Sequence, residues 1–528
     1  MSSIHTKFTF LSQLFNELDN RGFDTASARG IVPNILRSTV DGSDRSIITP
    51  FGSDNGPEKL LEDWSRIFDA SSSNFPTQLL ELEESQKLKY GPRSIQIDWE
   101  SRRESVREYF DTPDLDPGII DMASSHSRHS ATLKSLRIGG LRALSKDNAM
   151  SLLKNSTNSG LPSVTKKGTV KELTLNKYDQ LVSAFDDGLL PCLLFTRTQE
   201  QKKTRAVWGY PMIQTLREMQ FYSPYLKLER TFPWRAALNG PNAVDNGIKR
   251  IFTESKSSET FVSIDFSAYD ASINHQLIKF SFDQFIKLFF QKQYHDELDY
   301  IASNISSIGL LTPEGIWEGS HGVPSGCTFT NAIDSVVQYL VTNSLRESLE
   351  DSVVDRIIDS CQIQGDDGAY LVPDEHLDVF LEHFTKFGLK VNIDKSYQSK
   401  DHIVYLQNLY VKDVYEAGVY PIYRALNRLV YQERFTEFSK ADLTGQDYFG
   451  IRAISISENC KNHPLHEEFV KFVQNRNKYP LLPSKTGLAK YEKWNSETNG
   501  ADDIIVHQYG QDTKGLMSFE TVKVLQSM

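Results

Sequence analysis

Three short segments, set along the chain in a fixed order, limit what this sequence can fold into: Asp265-Phe266-Ser267-Ala268-Tyr269-Asp270, Ser325-Gly326-Cys327-Thr328-Phe329-Thr330-Asn331 and Gly365-Asp366-Asp367. Phe261-Val262-Ser263-Ile264 is a β-branched and aromatic run of alternating character, which predicts a strand ending at Asp265 with its carboxylate in a cleft. Cys361-Gln362-Ile363-Gln364 and Ala369-Tyr370-Leu371-Val372 read as two short strands. The turn Gly365-Asp366-Asp367-Gly368 joins them and holds its carboxylates outward at a hairpin tip. Between these walls, His321 to Gly326 reads as a flexible loop. From Thr330 onward, Ile333, Val336, Val337, Leu340 and Val341 follow the spacing of one helix face.

Phosphoryl transfer by paired divalent cations about 3.5 to 4 Å apart needs carboxylates brought together from separate strands. Asp265 and Asp366 supply such a pair. Asp-Asp-Gly alone is an ordinary solvated turn, and Asp186-Asp187-Gly188 repeats it without β character. Order and context decide. Thr330 and Asn331 stand at a loop-to-helix junction, where an amide can donate to and accept from a ribose hydroxyl.

In this order the three segments resemble the viral RNA-dependent RNA polymerases, and further segments similar to that family's motifs flank them. Asn155-Ser156-Thr157-Asn158-Ser159-Gly160-Leu161-Pro162 resembles the template-guiding turn of the fingers, which implies template contacts for Ser159, Gly160 and Pro162. Arg197, Lys202, Lys203 and Arg205 look like the basic finger strand that neutralises an incoming triphosphate. Phe387 to Ser396 resembles the palm segment whose lysine, here Lys395, protonates the leaving pyrophosphate. Tyr405 to Tyr410 is similar to the hairpin between palm and thumb. The wording of the second and third segments is most like that of picobirnaviruses, small bisegmented double-stranded RNA viruses, with partitiviruses next.

The resemblance implies an α+β right-hand fold whose palm is an antiparallel sheet with helices and whose fingers are joined to the thumb. It places a leader bridging fingers and thumb in residues 1–57, fingers in 58–222 and 272–318, palm in 223–271 and 319–410, and thumb and tail in 411–528. Asp265, Asp366 and Asp367 are then the metal ligands, for Mg²⁺ or alternatively Mn²⁺. Asp265, Asp366, Asp367 and Lys395 form the catalytic set. Arg197, Lys203, Arg205, Asp270, Ser325, Thr330 and Asn331 are the nucleotide contacts. Reverse transcriptases share the carboxylates but usually carry Tyr-x-Asp-Asp, whereas Gln364-Gly365 stands here, so ribonucleotides are the expected substrates. Primer-independent initiation, a monomeric state, a capsid-protein partner and a place inside the virion or the host cytoplasm are further expectations of the resemblance.

A net charge of −11 over 528 residues opposes RNA binding by the surface as a whole, but it concerns the outer surface. A polymerase encloses its substrate and needs basic residues only along the channel. Cys192, Cys327, Cys361 and Cys460 lie far apart without a CxxC pair, which supports neither a disulfide framework nor a zinc site. The N-terminus has no apolar signal core, and no apolar run is long enough for a bilayer. A capsid or RNA-packaging protein would need basic arms. A metal-dependent phosphohydrolase would explain the paired Asp but not Asn331, the basic strand and Lys395 together. No GxxxxGK[ST] loop is present. After Tyr410 the chain reads as helical and charged, as in residues 425–438 and 466–478, and the tail from Asn495 reads as loop.

Overall fold

The computed structural model describes residues 8–127, 133–134, 136–392, 396–499 and 515–528. The strand expected before Asp265 forms over Glu259–Ile264 and becomes an inner strand of a four-stranded antiparallel sheet. The order is Cys361–Gln364, Asp367–Pro373, Glu259–Ile264, Tyr397–Ser399. Strand alternation sorts side chains to two faces. Val262, Ile264, Ile363, Tyr370 and Val372 join the largest core together with Ile333, Val336, Val337 and Leu340 of the helix Thr330–Asn343. Phe261, Ala369 and Leu371 pack on the other side with Val244, Ile248 and Ile251 of the helix Pro241–Glu254.

The helix Thr330–Asn343 is buried all round from Ala332 onward. Its polar residues Asp334, Ser335, Gln338 and Thr342 are therefore inside the protein, where a polar group without a partner is costly. A second sheet has the order Thr204–Gly209, Cys192–Thr198, Leu310–Thr312, Gly315–Trp317. Its register sets Arg197 level with Arg205.

The N-terminal segment joins two cores. Leu11, Phe15, Val32 and Leu36 belong to the core that contains the Thr330–Asn343 helix, whereas Phe51, Leu60, Trp64 and Phe68 belong to a second core with Leu426, Phe469 and Phe472. Between them Ile47–Ile48 pairs antiparallel with Tyr431–Gln432. Thr49 adds a backbone bond to Val430 and a hydroxyl bond to Leu429.

The stretch after Pro57 packs on the C-terminal helices: Pro57–Ser71 through Leu60, Trp64 and Phe68, and Thr77–Lys87 through Glu83, which accepts from the amides of Ile422 and Tyr423. Several expectations need correction. Residues 425–438 are not one helix, because Ile422–Val430 gives way to the strand Tyr431–Gln432. The tail is not all loop. Lys485–Asn499 and Glu520–Ser527 are helices, and Phe519, Val522 and Leu525 are buried in the second core. Residues 500–514 lie outside the described residues. Nor is His321 to Gly326 loose, since the buried, neutral His321 ring lies between the carbonyls of Gly322 and Ile308 and donates to one of them, His321 N donates to Ser306 O, and Val323 N donates to Asp270 O.

Trp64 is fully buried, edge-on to Phe469 and Phe472 at ring-centroid distances of 5.1 and 5.3 Å. Trp64→Ala should cost about 3–5 kcal/mol. Hydrogen exchange should speed up across His466–Arg476, and unchanged protection there would remove Trp64 from the role of tying the early chain to the late one.

Candidate active site

The register of the central sheet brings the predicted carboxylates together. Ile264 pairs with Gly368, so one step further Asp265 comes level with Asp367. Gln364 pairs with Asp367 across a two-residue turn of Gly365 and Asp366. Gly365 has φ +67°, which a glycine adopts without strain. Asp366 is exposed at the tip, and Asp367 is half-buried. Gly368 is required for a different reason: a Cβ there would lie 2.6 Å from Gln338 Oε1 of the helix behind the hairpin.

Asp265 is held from its other side. Asn392 Nδ2 donates to its Oδ2 at 3.2 Å, Asn392 N donates to its carbonyl at 2.8 Å, and its own amide donates to Ser396 Oγ at 3.2 Å. Ser267 N donates to Lys390 O. The segment predicted to carry Lys395 therefore runs beside Asp265, although Lys395 itself lies outside the described residues.

Burial and neighbouring carboxylates raise the pKa values of Asp367, Asp270 and Asp334. Asp367 is pushed up to about 7 by burial first and then by Asp366 and Asp265. Asp270 rises to about 6 through burial and Asp366, with Arg205 opposing. Asp334, one helical turn beyond Thr330, is raised well above the usual range by burial, Asp270 and Asp366, and its Oδ1 has no hydrogen-bond partner. Asp334 lies on the helix expected after Thr330 but carries no role in the sequence reading. An all-oxygen, mutually repelling donor set suits hard divalent cations. Among the described residues no group of three or more His, Cys, Asp or Glu side chains is placed to hold an ion together.

The cations divide. Arg205 acts on Asp270. Arg197, opposite it in the ladder, is paired instead with Glu433, with 3.0 Å between Nε and Oε1. Lys203 closes the turn between the two strands through its carbonyl, which accepts from Gln199 N. Ser325 is exposed and its Oγ accepts from Trp208 N at 3.3 Å. A Cβ at Gly326 would stand 1.8 Å from Trp208 O, so only glycine lets the loop lie on the basic strand. Thr330, expected among the nucleotide contacts, turns its hydroxyl onto the carbonyls of Pro324 and Cys327 at 2.8 and 2.9 Å and braces the loop. Ser159 is likewise buried, accepting from Thr165 N through its hydroxyl and from Met212 N through its carbonyl, while Pro162 is half-exposed. Leu406 and Gln407 turn the Tyr405–Tyr410 hairpin with φ +49° and +65°.

Two buried ionisable residues escaped the sequence reading. Arg235 sits between the hairpin and the Thr330–Asn343 helix. Its Nη2 donates to Asn331 Oδ1 at 2.6 Å and its Nη1 faces Ser335 Oγ, Ile363 O and Gln364 Oε1 at 2.5, 3.1 and 2.7 Å. Glu218 accepts from Thr328 N at 2.6 Å and from Gln214 Nε2 at 3.2 Å, with burial pushing its pKa up to about 7. Neither carries a signal in the sequence, because every partner but Gln214 and Glu229 is remote along the chain.

Glu218 yields a pH prediction. Its folded pKa is raised, so the stability it supplies is complete below the unfolded value near 4.5 and is lost as pH rises toward about 7. Lys167, Tyr210, Cys192 and Cys327 face it, and only Lys167, lowered to about 8 by burial, is a cation. Glu218→Gln should therefore gain on the parent between pH 5 and 8 by up to about 3 kcal/mol. Denaturant midpoints across that range check it, and parallel curves would mean that Glu218 stays ionised throughout.

Residues 129–475 match the family model described as viral RNA-dependent RNA polymerase. The chain is 27% identical over 453 residues to a protein named potential RNA-dependent RNA polymerase from a human picobirnavirus, covering 82% of this chain and 83% of that one. It is also 27% identical over 278 residues to an RNA-directed RNA polymerase of Cryptosporidium parvum virus 1, covering 49% of this chain and 52% of the other. The crystal structure of a human picobirnavirus RNA-dependent RNA polymerase superposes with a TM-score of 0.75 at 25% identity, over 93% of this chain and 95% of that one.

Proposed function

The chain belongs to the viral RNA-dependent RNA polymerases, and from that premise we propose that it copies RNA by two-metal nucleotidyl transfer and starts chains without a primer. It is an RNA-directed RNA polymerase of a double-stranded RNA virus with the right-hand fold. The observation that carries the finer reading is the register that sets Asp265 level with Asp367, next to Asp366 at the exposed tip.

Asp265, Asp366 and Asp367 hold divalent cations, Mg²⁺ or alternatively Mn²⁺. When bound, such ions make the 3′-hydroxyl more acidic and neutralise the triphosphate. Arg205 and Lys203 bind the triphosphate, with Arg197 joining once released from Glu433. The 3′-oxygen attacks the α-phosphorus in line and pyrophosphate leaves, with Lys395 giving it a proton. Asp270, Asn331 and Ser325 read the ribose 2′-hydroxyl, so a deoxynucleotide leaves polar groups unpaired. The turn of Ser159, Gly160 and Pro162 guides the template. The enzyme works as a monomer inside the virion with capsid protein, and in the host cytoplasm during infection. Among the described residues no helix is long and apolar enough to cross a membrane.

The test is primer-free incorporation of labelled ribonucleotides on single-stranded RNA with Mg²⁺ or Mn²⁺. The intact chain should give template-length product and Asp366→Asn should lower the rate by about a hundredfold or more. Product only from an annealed primer would sink primer-independent initiation; equal rates would remove Asp366 from the metal site. Lys395→Leu should lower kcat by about a hundredfold with little change in KM, whereas a rise confined to KM would leave Lys395 a binding residue.

A further inference from the structure

The buried guanidinium of Arg235 belongs to neither the metal-binding nor the triphosphate-binding set, yet it touches both elements that would meet the nucleotide. It follows Phe232-Pro233-Trp234 in the short turn Pro233–Asn239 and has no solvent exposure. Glu229, also fully buried, accepts from its Nε at 2.9 Å. Its remaining donors point at Asn331 and Ser335 on one side and at Ile363 and Gln364 on the other.

Arginine has donors only, so the atom of Asn331 that meets it at 2.6 Å must be the amide oxygen. The amide NH₂ is then turned the other way, toward the hairpin, where a Cβ at Gly365 would lie 3.1 Å from Asn331 Nδ2. Without Arg235 either flip state of the amide is open to Asn331, and one of them presents an acceptor where the other presents a donor. Ser335 completes the lock. Its hydroxyl donates to Asn331 O at 2.7 Å and accepts from Gly365 N at 2.8 Å and from Arg235.

We propose that Arg235 is a positioning residue for sugar selection: it holds the Asn331 amide with its oxygen on the guanidinium and its NH₂ toward the Gly365–Asp367 hairpin, and this single orientation is the one in which Asn331 meets the 2′-hydroxyl. The proposal rests on the reading that Asn331 contacts the 2′-hydroxyl. Its effect on sugar choice passes through Asn331, whereas its bonds to Ile363 and Gln364 bear on the hairpin and hence on both sugars alike. The ratio of ribonucleotide to deoxynucleotide use therefore isolates the Asn331 route, and a general loss of stability would leave that ratio unchanged.

Arg235→Lys keeps a charge for Glu229 but replaces a planar five-donor fork with a compact ammonium that cannot reach both sides. Arg235→Lys, Asn331→Ala and the double variant are compared for kcat/KM with a ribonucleotide and its 2′-deoxy counterpart on an annealed primer and template. Melting curves and template affinity are measured alongside. Each single variant should narrow the ratio by about tenfold, and the double variant no further. If Asn331→Ala narrows the ratio and Arg235→Lys does not, the proposal falls while the Asn331 reading stands. If the two effects multiply, Arg235 acts by another route and the proposal is likewise overturned. If Asn331→Ala leaves the ratio intact, the Asn331 reading fails and takes the proposal with it. Should Arg235→Lys fail to fold, Glu229→Gln combined with Arg235→Gln removes the buried charge pair as a unit and takes its place in the same comparison.

Discussion

The ladder between Glu259–Ile264 and Asp367–Pro373 is the constraint from which the site follows. Side chains alternate with a period of two, so a slip of one residue would send Asp265 to the wrong face, move Val262 and Ile264 into the core on the opposite side and bring Ser263 into their place. The apolar alternation that builds the core thus also fixes where the carboxylates stand. The two demands meet at Gly368, whose missing side chain lets the Thr330–Asn343 helix approach the hairpin closely enough for Gln338 to reach the Asp366 carbonyl at 3.4 Å.

That geometry opposes folding electrostatically. Asp270, Asp334 and Asp367 are all raised by burial and by neighbouring acids, while the cations that act on them are Arg205 on Asp270 and Arg235 on Asp334. A site that binds cations and a triphosphate must hold this unfavourable charge in advance, and the large apolar cores on either side supply the stability that keeps it in place. The pair of Arg235 with Glu229 has a different character. Two fully buried ions add little stability over apolar substitutes, but their hydrogen-bonding directions are fixed, which suits an amide whose orientation matters.

The parts legible in sequence were those with local grammar. The strand before Asp265, the glycine-flanked turn and the helix after Thr330 each announce themselves within ten residues or so, through alternation, turn residues or helical spacing. The ordered motifs fixed the family and the right-hand fold. What stayed hidden depended on contacts distant in sequence. Arg235 looks like any arginine after an aromatic run, and its partners beyond Glu229 lie 96 to 129 positions away. Glu218 is one more acid in a helix until Thr328 N arrives 110 positions later. The loop at His321 was read as flexible because glycine and proline mark turns, whereas its hydrogen bonds come from Ser306, Ile308, Tyr109 and Asp270. Nothing near Trp64 in the sequence shows that it packs on Phe469.

The second core joins Phe51, Leu60, Trp64 and Phe68 to buried partners that lie from Tyr420 onward, with Phe75, Leu80 and Tyr90 as the nearer, partly buried neighbours. During synthesis these early apolar side chains leave the ribosome long before most of what covers them exists. At 5–20 residues per second the wait is roughly twenty to seventy seconds. The core containing Leu11 to Leu36 has nearer partners and is free to consolidate first, whereas the strand Ile47–Ile48 stays an unpaired edge until Tyr431–Gln432 is made. Nascent chains of this polymerase therefore carry an exposed aromatic face through most of their translation, and termination before residue 420 leaves a product with that face permanently open to aggregation or to chaperone capture.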